Sequence, residues 1–455
     1  MTERNTETAT TWAAIVLAAG NGTRMASQLP KILHQVSGIP IINHVLDSLN
    51  QVNINKVILV TNPENNNVLS QIDPEISYVI QNTQLGTGNA VSVAYETASN
   101  FENTIIINGD LPLITKETIQ NLMTKHLESN STLTLVSTRV DNPQGYGRIK
   151  KQNDIVTRIV EQNELSEEEE KLSDINVGIY AVKTQWLNKA LVLLEPHDNE
   201  EYFIPDIVNL ATQQKIPVNT YELKDSKEAQ QVNNRIELAL AENIMQNRIR
   251  EQIMLGGTTI IDPASTFIDK NVLVEQDTIL EPGVHLTGTT KIGFGCRIGP
   301  NSYISDSKIG NNVKISTSTI EMSVIGNNVS IGPYCHLREG SKIADGVSLG
   351  NYVEIKQSNI GKNTRIGHFT YIGDSIVGEQ VNIGAGTVTA NYDGEEKHQT
   401  VIEDGSFIGV NSVLIAPVKI GAKSRTGAGA VVTKDVPPDS LVVGIPGRIR
   451  PGKGE

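Results

Sequence analysis

The stretch IGPYCHLREGSKIADGVSLGNYVEI, residues 331–355, decides the fold of the second half of the chain. Its aliphatic residues Ile331, Leu337, Ile343, Leu349 and Ile355 recur every six positions. A period of six is neither the 3.6 of a helix nor the two of an ordinary strand. It fits a parallel β-helix in which three short strands close one triangular coil and each strand sends one aliphatic side chain inward. Outward from this stretch, an aliphatic residue followed by Gly recurs at Ile292, Ile298, Ile309, Ile325, Ile360, Ile366, Ile372, Val377, Ile383, Ile408 and Ile420. Ile402 and Leu414 keep the beat without the Gly. Gly and Asn at the corners tolerate unusual backbone angles. A generic β-rich domain would not hold this spacing for over a hundred residues. TVTANYDGEEKHQT, residues 387–400, interrupts the beat and reads as a loop expelled from the coil, a common place for function.

Upstream the pattern changes. Residues 233–255 contain no Gly and no Pro. Ile236, Leu240, Ile244, Ile249 and Ile253 predict a long helix with one apolar stripe, stopped by Gly256-Gly257. Residues 12–230 alternate β-branched runs (AAIVLA, KVILVT, TIIIN, TLTLV) with amphipathic stretches. IINHVLDSLN puts Ile41, Ile42, Val45, Leu46 and Leu49 on one helical face; TIQNLMTKHL does so with Ile119, Leu122, Met123 and Leu127. Such alternation predicts a mostly parallel sheet wrapped by helices. The acidic run Glu167 to Glu170 reads as a solvated loop or helix face. The expected domains are 1–235, a linker helix over 236–256, and a β-helix over 257–455.

Composition narrows the function. The 455 residues carry a net charge of −13 and no long basic stretch, which disfavours nucleic acid as a partner. The first apolar run, Ala13 to Ala19, is too short to span a bilayer or to serve as a signal core, and the start MTERNTETATTW is polar. Cys296 and Cys335 lack metal-ligand spacing, and a chain of this size needs no disulfide. A cytoplasmic protein without membrane insertion is the reading.

The first strand runs into AGNGTRM and then Leu29-Pro30-Lys31. A glycine-rich turn after a first strand offers backbone N–H groups to a phosphate chain, and Arg24 and Lys31 bring positive charge to the same mouth. A dinucleotide-binding turn is the competing reading, but its third glycine is absent. Asn108-Gly109-Asp110 ends the strand TIIIN; a carboxylate at a strand's carboxyl end can hold Mg²⁺ or serve as a turn or helix cap. Gln81 and Leu85-Gly86-Thr87-Gly88 follow the strand SYVI, where they could read a base edge or simply make a strand-to-helix turn.

LAAGxGTRM with LPK resembles the signature of sugar-1-phosphate nucleotidyltransferases. With QxxxLGTGxA, GDLPL, GYGRI, IVE, INVGI and VNNR in that order, the chain from about Ala13 to Arg448 resembles the bifunctional N-acetylglucosamine-1-phosphate uridyltransferase and glucosamine-1-phosphate acetyltransferase family. The resemblance implies a Rossmann-like α/β nucleotidyltransferase domain, a linker helix and a left-handed parallel β-helix of hexapeptide repeats. It implies that Leu17, Ala18, Ala19, Gly20, Gln81, Gly86, Thr87, Asn108 and Gly109 contact the uridine nucleotide, and that Gly147, Glu161, Asn176 and Asn233 bind the amino sugar. Asp110 and Asn233 would hold Mg²⁺, and Lys31 and Arg24 the phosphates. Asn108 departs from the pattern, since Tyr is familiar there. UTP and N-acetylglucosamine-1-phosphate would be the substrates.

Acetyl transfer to an amine needs a base, and His suits that role near neutral pH. The same resemblance makes His368 that base. It assigns Arg338 and Lys356 to the phosphate of glucosamine-1-phosphate, and Tyr371 and Asn382 to its sugar. It places Ala385, Asn391, Tyr392 and Ala428 at acetyl-CoA, with Asn391 also helping to hold the sugar. Val410 stands where Ser is common and Ile445 where Arg is common. Arg448, in GIPGR, could reach the CoA phosphates instead. The family implies a homotrimer with sites between neighbouring β-helices, and a product used in cell-wall and lipopolysaccharide synthesis. Two other layouts stay open: a uridyltransferase whose β-helix only assembles, and a degenerate nucleotidyltransferase on a β-helix scaffold as in translation exchange factors. His368 with Arg338, Lys356 and Asn382 argues against the first. Lys31, Asp110 and Asn233 argue against the second.

Overall fold

A computed structural model describes residues 10–65, 76–153, 155–197 and 200–452; most of the polar start lies outside them. The chain divides into two compact units, Met1–Met245 and Gln246–Glu455.

In the first unit the β-branched runs become strands β1 (Trp12–Leu17), β2 (Lys56–Thr61), β3 (Ser77–Ile80), β4 (Asn103–Asn108) and β5 (Leu133–Arg139). The hairpin β6 (Arg148–Gln152) and β7 (Ile155–Val160), the long β8 (Asp174–Lys183) and β9 (Val218–Glu222) complete the sheet. Their order is β9-β5-β8-β4-β1-β2-β3, with the hairpin joined to β8. The strands around β1 are parallel, as expected. β8, however, runs antiparallel between β4 and β5, so the sheet is mixed rather than mostly parallel. β8 is buried along nearly its whole length, and a strand covered on both faces reads as a continuous apolar run in either direction.

Helices α1 (Ile41–Asn50), α2 (Gly86–Ala98), α3 (Lys116–Glu128), α4 (Thr184–Val192) and α5 (Asp206–Gln213) flank this sheet. α1 buries the five residues its spacing predicts. α3 buries Ile119, Leu122 and Met123, but Leu127 is 44% exposed and His126 takes the inward position. The imidazole meets the edge of Trp12 and hydrogen-bonds Thr134 Oγ1 at 3.0 Å, a contact Leu lacks. The acidic run is not wholly solvated either. Glu169 is buried, with Oε1 bonded to Lys150 Nζ at 3.0 Å and Arg158 Nη2 at 2.8 Å, and Oε2 to Ser166 Oγ at 2.8 Å.

The glycine-free segment forms α6 (Arg235–Leu255). Its apolar residues do not make one stripe. At about 100° per residue, spacings of four and five carry Ile249 and Ile253 to the side opposite Ile236 and Leu240. Ile236 and Leu240 are exposed. Ala241, with Leu238 and Met245, packs in a small core of the first unit, whereas Ile249 and Ile253 pack on the core of the second.

The second unit is the β-helix. Two- and three-residue strands stack into three parallel sheets, one per face. The pairing Ser330↔Ser348 and Ile331↔Leu349 shows the eighteen-residue coil, three times six. The aliphatic residues named from the sequence all lie in one continuous core. Interior Ser and Thr hydroxyls tie the turns, as Ser323 Oγ does to the carbonyls of Glu321 (2.7 Å) and Arg338 (3.1 Å). Cys296 and Cys335 are free and buried in this core. The stack ends when Arg448–Arg450 folds back antiparallel on Leu441–Val443. No helix among the described residues is long and apolar enough to cross a membrane.

Candidate active sites

The carboxyl ends of β1 and β4 open into a cavity of about 670 Å³. Leu17 at the end of β1 and Ala18, Ala19, Gly20 and Arg24 in the turn after it form part of its wall. Gly22 makes this turn with φ 59°, and a Cβ there would meet the Lys31 Cβ at 2.6 Å. The missing side chain lets Lys31 pass beneath the turn. Lys31 Nζ then reaches Asp110 Oδ2 at 2.6 Å and Asn233 Oδ1 at 3.1 Å. Arg24 Nη2 approaches the same Asn233 oxygen at 3.1 Å. Four residues from distant parts of the sequence therefore converge. The other carboxylate oxygen, Asp110 Oδ1, is buried with no partner. An orphan carboxylate oxygen is costly unless something fills its place.

The rest of the cavity holds Gln81, Gly86, Thr87 and Asn108 on one side and Gly147, Glu161 and Asn176 on another. Gln81 is held by its amide, which donates to Gly86 O and Asn89 Oδ1. Thr87 Oγ1 accepts from Ile204 N. Asn176 Nδ2 donates to the Tyr180 hydroxyl at 2.6 Å, and burial pushes that phenol's pKa upward. Burial also pushes the Glu161 carboxyl upward; Asp206 and Glu164 add to the effect and His197 opposes it. Gly109 does not line the cavity; its N–H bonds Leu17 O at 2.8 Å and joins the two strand ends. Sequence reasoning missed Tyr180, Phe203 and Ile204, which also line the cavity. Their apolar pattern reads as core, so no signal separated them.

The acetyl-transfer candidates fall into two groups in the second unit. Arg338 and Lys356 stand at the end of successive second-face strands, where Lys356 pairs with Gly373 in register. Lys397, in the expelled loop, lies against Lys356. It is the first cause that lowers the Lys356 pKa, with Arg338 weaker and Asp374 opposing. Arg338 Nη1 bonds Glu354 Oε1 at 3.0 Å. The Tyr371 hydroxyl and the Asn391 amide crowd the place of a Cβ on Gly373, so both reach this edge. Asn391 is bonded to Asp374, and Tyr392 Oη to Gly394 O.

The second group lies at the opposite edge of the same face. His368 is exposed in the turn before it, its Nδ1 3.0 Å from where a Gly350 Cβ would stand, and its ring makes no hydrogen bond among the described residues. Ala385, Val410 and Ala428 occupy the same turn in later coils, and Asn382 sits on the first face. Gly447 N and Gly444 O bond Val431, which brings the tail with Ile445 and Arg448 near the turn of Ala428. A single chain thus leaves His368 across one strand from Arg338 and Lys356. Lys397 escaped the sequence reading, although the interrupted beat marked its loop.

Two family models match the chain: "Nucleotidyl transferase" over residues 13–228 and "Bacterial transferase hexapeptide (six repeats)" over 322–357 and 399–434. The bifunctional protein GlmU of Streptococcus agalactiae serotype V is 42% identical over 434 residues, covering 95% of each chain. The chain belongs to the GlmU family. GlmU of Carboxydothermus hydrogenoformans is 42% identical over 94% of this chain and 96% of its own, and that of Fervidobacterium nodosum 44% over 94% of each. This member of the GlmU family is a bifunctional transferase that makes UDP-N-acetylglucosamine. It acetylates glucosamine-1-phosphate and transfers uridylyl from UTP to N-acetylglucosamine-1-phosphate. The β-helix is an acyltransferase domain, not only an assembly module or an inert scaffold.

Proposed function

We propose the following division of labour between the two sites. In the first cavity the turn after β1, with Arg24 and Lys31, receives the UTP phosphates; Gln81, Gly86 and Thr87 face the uracil end. Gly147, Glu161 and Asn176 hold the N-acetylglucosamine-1-phosphate. A phosphate oxygen of that sugar attacks the α-phosphorus of UTP, an O–P bond forms in line with the one that breaks, and pyrophosphate leaves. No covalent enzyme intermediate is needed. The chain's task is to align two anions and stabilise the charge between them, with Lys31 directed at the phosphates.

The observation that carries this reading is the cluster of Lys31, Asp110, Asn233 and Arg24 with one orphaned carboxylate oxygen. A hard divalent cation with oxygen ligands suits such a donor set, so Asp110 and Asn233 would hold Mg²⁺. When bound, Mg²⁺ neutralises charge on the phosphates. Among the described residues no cluster of three or more His, Cys, Asp or Glu side chains stands ready for a metal. An ion that shares its remaining ligands with substrate and water fits that pattern.

In the β-helix, Arg338 and Lys356 take the phosphate of glucosamine-1-phosphate, with Tyr371 and Asn382 at the sugar. His368 accepts the amine proton as nitrogen attacks the acetyl-CoA carbonyl; a C–N bond forms, the C–S bond breaks and CoA leaves. Asn391 serves both substrates, while Ala385, Tyr392, Val410, Ala428, Ile445 and Arg448 line the CoA side. The placement of His368 and the phosphate ligands on opposite edges of one face supports a homotrimer, in which neighbouring β-helices complete each site. A cytoplasmic setting fits the free cysteines. The test is to assay the two half-reactions in one preparation: pyrophosphate release from UTP and N-acetylglucosamine-1-phosphate, and thiol release from acetyl-CoA and glucosamine-1-phosphate. His368→Ala should abolish only the second and Lys31→Ala only the first; any other pattern overturns the division.

A further inference from the structure

One histidine beside the uridylyl cavity has no part in the reaction described so far. His197 Nδ1 lies 2.9 Å from Glu164 Oε1, and Nε2 lies 2.8 Å from Asp206 Oδ2. Its ring packs against Phe203, with centroids 4.6 Å apart. Its backbone N–H bonds Glu201 O at 2.9 Å, and its carbonyl accepts from Glu200 N at 2.8 Å.

These contacts join three pieces of the cavity wall. Glu164 ends the short turn that follows Glu161 at the exit of β7. Asp206 opens α5. Between them, Glu201, Phe203, Ile204 and Pro205 line the cavity. An imidazole can donate from both nitrogens only as the cation; a neutral ring would turn a lone pair toward one of the carboxylates. The groups that act on it are acidic: Glu164 and Asp206 in contact, and Glu161, at the end of β7, within its field. Tyr180 on β8 lies within the field of Glu161 and Asp206. In keeping with this, the hydrogen bond to Asp206 is the first cause that raises the His197 pKa; burial opposes it, and Glu164 adds to the rise.

We propose that His197, as an imidazolium bridging Glu164 and Asp206, is a positioning residue for uridylyl transfer: it fixes the wall that carries Glu161 and keeps that carboxylate ionised to accept a hydrogen bond from an N–H or O–H of the amino sugar. The proposal rests on Glu161 being a sugar ligand. Three carboxylates crowd this wall, and Glu161 is itself held up by burial and by two of them. His197 supplies the compensating charge. Without it Glu161 would take a proton at higher pH and accept hydrogen bonds more weakly.

The experiment is steady-state uridylyl transfer by the full chain from pH 6 to 9, with wild type, His197→Asn and Glu161→Gln. In His197→Asn the Michaelis constant for N-acetylglucosamine-1-phosphate should rise about tenfold, the order of one lost charge-assisted hydrogen bond. The constant for UTP and kcat should stay within about twofold by the same reasoning, which also shows that the domain is folded. The acid limb of kcat/KM for the sugar should move to higher pH, and the alkaline loss caused by deprotonation of His197 should vanish. His197→Gln, whose longer side chain can place its amide where Nε2 meets Asp206, should fall between. If Glu161→Gln raises the sugar constant while His197→Asn moves neither that constant nor the acid limb, the proposal is overturned. If Glu161→Gln leaves the sugar constant unchanged, the assignment of Glu161 fails first and the proposal falls with it.

Discussion

Asp110→Asn tests the nucleotidyl site most directly, because it changes charge and almost nothing else. The Asp110 side chain is 13% exposed; Oδ2 holds the Lys31 ammonium at 2.6 Å and Oδ1 is buried without a partner. In the variant the amide oxygen should turn to Lys31, since the NH₂ group cannot face an ammonium. That leaves two N–H donors where the proposed Mg²⁺ would take an oxygen ligand. Folding stability should change by no more than about 1 kcal/mol, because Lys31 keeps an acceptor here and another on Asn233. Catalysis should change far more. Losing one directed electrostatic contact at a reacting phosphate costs about 3 to 4 kcal/mol, or roughly 10² to 10³ in rate. Pyrophosphate release should fall by that factor and need more Mg²⁺ to saturate, while thiol release in the same sample stays unchanged. If uridylyl transfer remains within about threefold of wild type at every Mg²⁺ concentration, the reasoning is wrong.

Four further outcomes are expected. Gly373→Ala would drive a methyl into the Tyr371 hydroxyl and the Asn391 amide, so the Michaelis constant for glucosamine-1-phosphate should rise about tenfold or more with uridylyl transfer intact. Ile355→Ala, at a fully buried position stacked between Leu337 and Ile372, should cost about 2 to 5 kcal/mol, read as a lower denaturant midpoint of the β-helix. Arg448→Ala should raise the constant for acetyl-CoA and spare uridylyl transfer; an unchanged constant removes Arg448 from the CoA side. The fourth concerns stability and pH. The folded-state pKa of His197 is raised above its usual 6.5, so its stabilisation is fully present below 6.5 and is lost as pH rises through the raised value. The melting difference between wild type and His197→Asn should therefore be largest in mild acid and shrink toward alkaline pH.

The β-helix was legible because every sixth residue must point inward, and Ile, Leu or Val there cannot be mistaken for a helical stripe. The buried Ser and Thr hydroxyls that tie its turns were not legible, since a polar residue beside an aliphatic one reads as surface. α6 misled for a related reason: five aliphatic residues four or five apart look like one stripe until the angles are added. The direction of β8 was hidden because burial on both faces erases alternation. The nucleotidyl cluster was legible in its parts: a glycine turn, a strand-end Asp and a cation each carry a local signature. Its assembly was not, because Lys31 and Asn233 lie 202 positions apart. His197 left no trace at all, since its meaning comes only from carboxylates on two other elements.

The final reversal of the β-helix has a consequence for how molecules coexist. A stack of parallel rungs ends in a row of unpaired backbone groups, a template on which another molecule's first rung could grow into a filament. Arg448–Arg450 turns back antiparallel on Leu441–Val443 and occupies that template on one face. A newcomer there meets a strand of opposite polarity with two arginines in place of a matching six-residue beat. The same few residues proposed for the CoA side thus also block growth of the solenoid on that face.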